Sequence, residues 1–106
     1  DQETAGKSGT PRLALQLGVE VGNLDAKARQ QFGLPALQGI VILRVETSSP
    51  AERAGLRPGD VIQGINGRSI RDVRSWETTL KAAGGKKLVL LVWREGRTTF
   101  VPLSTQ

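Results

Sequence analysis

Neither histidine nor cysteine occurs in the 106-residue chain, which removes most of the side-chain chemistry open to a protein of this size. A Ser-His-Asp or Cys-His mechanism has no base, the commonest metal ligand is missing, and thiolate zinc sites and disulfide frameworks are excluded. The 10 Asp and Glu residues stand singly, without the carboxylate pair of a glycosidase or the loop of an EF-hand. The net charge is +5, with Arg68, Arg71 and Arg74 close together and Lys86-Lys87 following. Nucleic-acid binding would need aromatic stacking surfaces among those charges. The aromatic residues, Phe32, Trp76, Trp93 and Phe100, all fall at positions that read as core or edge packing. The basic residues therefore read as solvated surface able to steer anionic ligands. Nothing in these types and spacings assembles an active site or a metal site, and no cofactor is called for.

The elements are written more plainly than the chemistry. From Ser49 to Gly67 the chain reads SPAERAGLRPGDVIQGING. Ser49 with Glu52 fits a capping box, Pro50 takes the first helical position, and Gly55 supplies a left-handed exit. Leu56 packs behind that exit, Pro58 keeps the helix from resuming, and Gly59-Asp60 leads into a strand through Val61, Ile62 and Ile65. Asn66-Gly67 is a strong hairpin-turn signal. Upstream, Asp1 to Thr10 is polar and aperiodic, a flexible linker closed by Pro11. Leu13, Leu15, Leu17, Val19 and Val21 alternate as in a half-buried strand interrupted at Gly18, and its better-supported part is Val19 to Asn23. Asp25 caps a short helix through Phe32 that ends at Gly33. Ile40 to Val45 suits a central strand covered on both faces. Asp72 caps a helix reaching about Ala83, stopped by Gly84-Gly85, in which Val73, Trp76 and Leu80 form one apolar stripe. Leu88 to Trp93 and Thr98 to Leu103 pair across Glu95-Gly96, with Pro102 tolerable only near an edge. One domain spans 12–104 after a linker at 1–11. No run approaches the ~18 apolar residues of a membrane span, and no signal peptide opens the chain. The fragment reads as soluble, with any export signal or anchor outside it.

The Ser49 to Gly67 segment resembles the central signature of PDZ domains, in the form carried by bacterial Deg-type (high-temperature-requirement) periplasmic serine proteases. Phe32-Gly33-Leu34-Pro35 is similar to a phrase in their second PDZ domains, although which PDZ of a parent this is stays open. The resemblance implies an α+β fold: a partly open antiparallel β-barrel or sandwich of five to six strands with two to three short helices, in the bacterial circularly permuted order. It also implies a ligand strand added to a sheet edge beside a helix, its terminal carboxylate met by backbone N–H groups. Gln16-Leu17-Gly18-Val19 matches the family's carboxylate loop, with Val19, Glu20 and Val21 continuing into the pairing strand. Gly18 lets the backbone turn its amides outward and lets a ligand approach. The alternative loop, Leu13-Ala14-Leu15, lacks the glycine. Val73, Trp76, Glu77 and Leu80 would form the opposite wall, although Trp76, like Leu17, Val19 and Leu80, also fits a purely core role. Arg12 is a candidate to steer the carboxylate, at a long spacing from Gly18.

Two functions remain from this reading. One is a non-catalytic regulatory module of an exported serine protease, binding C-terminal or extended apolar segments of unfolded polypeptides for protein quality control. The other is an assembly module, contacting the protease domain, another PDZ domain or further copies in an oligomer, with no free-peptide ligand.

Overall fold

The computed structural model describes residues 17–83 and 87–103. The expected linker, Arg12, the alternation at Leu13 and Leu15, Gln16, the Gly84-Gly85 stop and the boundary at 104 lie outside those residues.

Local signals set the elements. Strand β1 (Val19–Asn23) leads to Asp25, whose carboxylate accepts the Ala28 N–H at 2.9 Å and opens helix α1 (Ala26–Phe32), closed by left-handed Gly33. Strand β2 (Ile40–Val45) precedes the one-turn helix α2 (Pro50–Arg53). Ser49 Oγ accepts the Glu52 N–H at 3.2 Å, satisfying one of the orphan donors of the first turn. The reciprocal half of the expected capping box is displaced by one residue. The Glu52 carboxylate accepts the N–H of Ser48 at 2.7 Å, because the Ser49 N–H is turned toward the Glu46 carbonyl. Strand β3 (Val61–Ile65) turns at Asn66-Gly67 into the two-residue β4 (Arg68–Ser69), and helix α3 (Val73–Ala83) follows. Strands β5 (Leu88–Arg94) and β6 (Arg97–Leu103) close the chain as a hairpin. Both tight turns have positive φ at their two central residues, 50° and 84° at Asn66-Gly67 and 49° and 84° at Glu95-Gly96, which matches the twist of the flanking strands.

The strands form one open antiparallel sheet in the order β1-β2-β3-β5-β6, with β4 beside β3. Six strands and three helices are thus the described content, the α+β arrangement expected. One face of the sheet carries the core: Ile40, Ile42, Ile62, Ile65, Leu88, Leu90 and Val92 pack with Trp76 and Leu80 of α3 and with Leu17 ahead of β1. Trp76 is the largest fully buried side chain. Val41 and Val61 are buried apart from this cluster, where Val61 pairs with Trp93.

Two expectations are corrected. β2 is covered on both faces only at Ile40, Val41 and Ile42, while Leu43 is 38% exposed. Glu20 pairs with Arg44 and Val21 with Ile42, so Leu43 is an extra residue in a β-bulge, outside the regular alternation. Phe100 is 69% exposed rather than packed. It pairs with Leu91 on the outer face of the hairpin, while its neighbours Val101 and Leu103 point into the core. Phe32 and Trp93 are half-buried.

An ion pair ties the segment between α2 and β3 to the hairpin. Arg94 donates from Nε to Asp60 Oδ1 at 2.8 Å and from Nη2 to Oδ2, and Nη2 also reaches the Gly55 carbonyl at 2.7 Å. The same carboxylate accepts the Arg57 N–H at 3.0 Å. The Asp60 side chain retains 4% exposure and that of Arg94 35%. The hydrogen bond to Asp60, with the charge of that carboxylate, holds the Arg94 guanidinium further toward its protonated form. Asp60→Ala strands the Arg57 amide and the guanidinium. It should cost about 2–3 kcal/mol in urea unfolding, less than the ~3–5 kcal/mol for breaking a fully buried pair, because Arg94 keeps contact with water.

Candidate functional site

β1 lies at one end of the sheet and has no strand on its outer side among the described residues. Its hydrogen-bonding phase follows from one contact at its start: the Glu46 N–H donates to the Gly18 carbonyl at 2.7 Å. No described peptide bond is cis, and in a trans peptide the C=O and the following N–H point in opposite directions. With the Gly18 carbonyl aimed at β2, the Val19 N–H is aimed at the open edge. Antiparallel alternation then gives Val19 and Val21 to the open edge and Glu20 and Gly22 to β2. The edge stops at Asn23, whose carbonyl accepts the Asp25 N–H at 3.0 Å.

Helix α3 runs beside this edge and is tied to its end. Asn23 Oδ1 accepts the Val73 N–H at 2.8 Å, and Asp72 Oδ1 accepts the Ser75 N–H at 2.8 Å, so a residue of the strand and the expected cap share the helix's orphan donors. Ser75 Oγ in turn accepts the N–H groups of Arg71 and Asp72. Leu80, two turns on from Val73, shares the core cluster with Leu17. About 10 Å of helix between Val73 and Leu80 therefore faces about 13 Å of strand between Val19 and Asn23.

The residues expected to meet a ligand separate into three sets. Leu17, Trp76 and Leu80 have 0% exposure and Val19 4%, so they form the floor between strand and helix. Trp76, which the sequence left open between core and contact, is placed in the core, with its Nε1 buried and lacking a hydrogen-bond partner among the described residues. Val21 and Val73 are partly buried against the cluster and Glu77 is half-buried, so these stand beside the open edge. Glu20 is exposed and pairs toward Arg44. Gln16 lies outside the described residues.

Gly18 turns the chain into the edge at φ 85°. A Cβ there would lie 2.2 Å from Ser49 Cβ and 2.5 Å from Ser49 Oγ, so the glycine is required by a neighbour as well as by its dihedral. Sequence reading missed Asn23 and this second role of Ser49. Asn at a strand end and Ser before proline gave only local signals, and neither reports a partner many residues away. Elsewhere, a shallow cleft of about 290 Å³ lies among Phe32, Leu34, Pro58, Trp93, Asp60 and Arg94. Asp60 and Arg94, two of its charged groups, already satisfy each other. No group of three or more metal-ligating side chains occurs among the described residues.

The family model for the PDZ domain matches residues 41–94, more than half of the chain. The chain belongs to the PDZ domain family. A PDZ domain is a non-catalytic module, consistent with the residue types above. The match begins after β1, so it identifies the scaffold and leaves the edge to be judged on its own geometry. Among curated relatives, a probable periplasmic serine protease do/HhoA-like from Haemophilus influenzae is 33% identical over 85% of this chain. A probable periplasmic serine endoprotease DegP-like from Pseudomonas fluorescens is 35% identical over 90%. The PDZ chain spans 20% of the length of each. Among solved structures, the HtrA-type protease AlgW with a decapeptide superposes with a TM-score of 0.72 at 31% identity, over 88% of this chain and 34% of that one. The HtrA3 PDZ domain bound to a phage-derived ligand shares the fold, with a TM-score of 0.67 at 23% identity over 83% of this chain and 81% of that one.

The helix that walls the edge depends on its cap, and the cap titrates. The Ser75 N–H bond, then the Ser75 hydroxyl, with Arg74 and Arg71 nearby, lower the Asp72 pKa from the 3.8 of a free aspartate. A carboxylate with a depressed folded pKa supports the fold above its unfolded pKa and loses that support as pH falls through the folded value. The Ser75 amide resonance should therefore titrate with a midpoint below 3.8. A midpoint at or above that value contradicts the cap.

Proposed function

We propose that this PDZ domain binds the C-terminal or an extended apolar segment of a polypeptide as an added strand on β1, and serves as the regulatory module of an exported serine protease. The observation that carries the reading is the edge itself. Val19 and Val21 present backbone groups with no partner among the described residues, the edge begins at a glycine that brings the chain close, and α3 stands alongside with Val73 and Glu77 accessible and an apolar floor beneath. Main-chain pairing supplies affinity in this mode and side-chain pockets supply selectivity. Because Leu17, Trp76 and Leu80 are closed over in the free domain, seating a terminal apolar side chain requires strand and helix to part, which costs part of the binding energy. Few hydrogen bonds and a small buried area give about micromolar affinity, near −8 kcal/mol. The named activities of the curated relatives support a protease parent and a periplasmic setting, and the decapeptide of the AlgW structure supports a peptide ligand. Captured segments would be delivered to the catalytic domain or would shift its active population.

Titration of the 15N-labelled domain with a hexapeptide ending in a free-carboxylate apolar residue should move the amides of residues 17–23 and 73–80. Movement confined to other regions rules the reading out.

A second reading, an assembly contact, is favoured by the outer face of the hairpin. Phe100 at 69% and Val89 at 38% exposure lie on that face with Leu91 and Pro102, their cross-strand partners. Apolar surface grouped in this way marks interaction sites. In the full-length parent, Phe100→Ser should then lower the assembly mass measured by light scattering while peptide titration of the isolated domain is unchanged. An unchanged mass removes this reading.

A further inference from the structure

We infer that Ser49, beyond capping α2, is the positioning residue that sets the amide of Val19 to receive a free α-carboxylate. The inference rests on the strand-addition reading of β1.

Residue Glu46 is gripped at both ends. Its N–H donates to the Gly18 carbonyl at 2.7 Å, and its carbonyl accepts from Ser49 Oγ at 2.7 Å. Ser49 Oγ is held in turn by the Glu52 N–H at 3.2 Å, so the hydroxyl has one donor behind it and one acceptor ahead. Ser49 is 8% exposed, and its Cβ and Oγ fill the space a Cβ on Gly18 would occupy. Ser49 thus acts on the Gly18–Val19 peptide twice, by direct contact on one face and through Glu46 on the carbonyl. The planar peptide transmits that constraint to its other end, so fixing the Gly18 carbonyl against Glu46 fixes the direction of the Val19 N–H at the open edge. A free carboxylate has two oxygens and a full charge to place on such a donor. A C-terminal amide is neutral and offers a single oxygen, and hydrogen bonds to charged acceptors are the stronger kind, so a misdirected donor costs the acid more than the amide. Loss of the Ser49 hydroxyl should therefore weaken carboxylate recognition more than the pairing of the rest of the strand.

The test uses the 106-residue chain and one apolar-ended hexapeptide made as the free acid and as the C-terminal amide, with both dissociation constants measured by calorimetry. The wild type is expected to favour the acid by about tenfold, the scale of one charge-assisted hydrogen bond. Ser49→Gly retains an accepted N-cap residue and so keeps the fold. It should weaken the acid several-fold and the amide less than twofold, collapsing the ratio. Ser49→Thr keeps the hydroxyl and should retain the ratio. If Ser49→Gly binds acid and amide with the wild-type ratio, the Ser49 assignment is overturned while strand addition stands. Loss of the ratio in Ser49→Thr as well would show that the hydroxyl bond to the Glu46 carbonyl does not set the Val19 amide, and also overturns the assignment. If the wild type binds neither peptide, strand addition and the Ser49 assignment fall together.

Discussion

The burial of Trp76 and Leu80 against the sheet is the constraint on which the rest of this domain depends. α3 is otherwise mostly polar, and a helix of 11 residues is marginal in water without tertiary support. Its apolar stripe gains that support by covering Ile40, Ile42 and the strands beyond. Placing the helix there gives β1 a neighbour on one flank without pairing its outer edge. Asn23 then fixes how close the two may come, since its side chain must reach the first free N–H of the helix. The groove is a by-product of core formation, and its floor and the core are the same residues.

The segment that identifies the family also reaches the candidate site. From Ser49 to Gly67 its prolines, glycines and cap turn the chain, and they do so as their types dictate. Yet the cap of α2 packs on the turn that starts the edge strand, and the Gly55 carbonyl, just past the other end of α2, accepts from the Arg94 of the distant hairpin, which also pairs with Asp60 ahead of β3. A one-turn helix is too short to be stable alone. Here it is a junction whose two ends are each fastened to another part of the sheet.

What was legible in the sequence was local. Asp25 with Gly33, Ser49 with Pro50, Asn66-Gly67, Asp72 and Glu95-Gly96 each announce a cap or a turn through interactions within four residues, and each is where it was expected. The strand Val19 to Asn23 and the stripe Val73, Trp76, Leu80 were likewise readable, because periodicity reports which face is buried. Phe100 was misread because an aromatic residue in a strand indicates packing of some kind, and not whether anything covers that face. The bulge at Leu43 depends on how two strands align, which neither strand encodes alone. The contacts of Asn23 with Val73 and of Ser49 with Gly18 join residues far apart in sequence, and no spacing rule records them.

The bulge has a consequence for solubility. An unpaired strand edge is a template on which further chains can stack without limit. In β1 the open edge is five residues long, is twisted where Glu20 and Val21 change register, and ends at Asn23 with its carbonyl and side chain both engaged. A guest of a few residues can follow that short ladder, whereas a long, flat strand of the kind that propagates fibres loses its register after the first pairings. The irregularity that interrupts the sheet thus makes the open β1 edge a poor template for stacking.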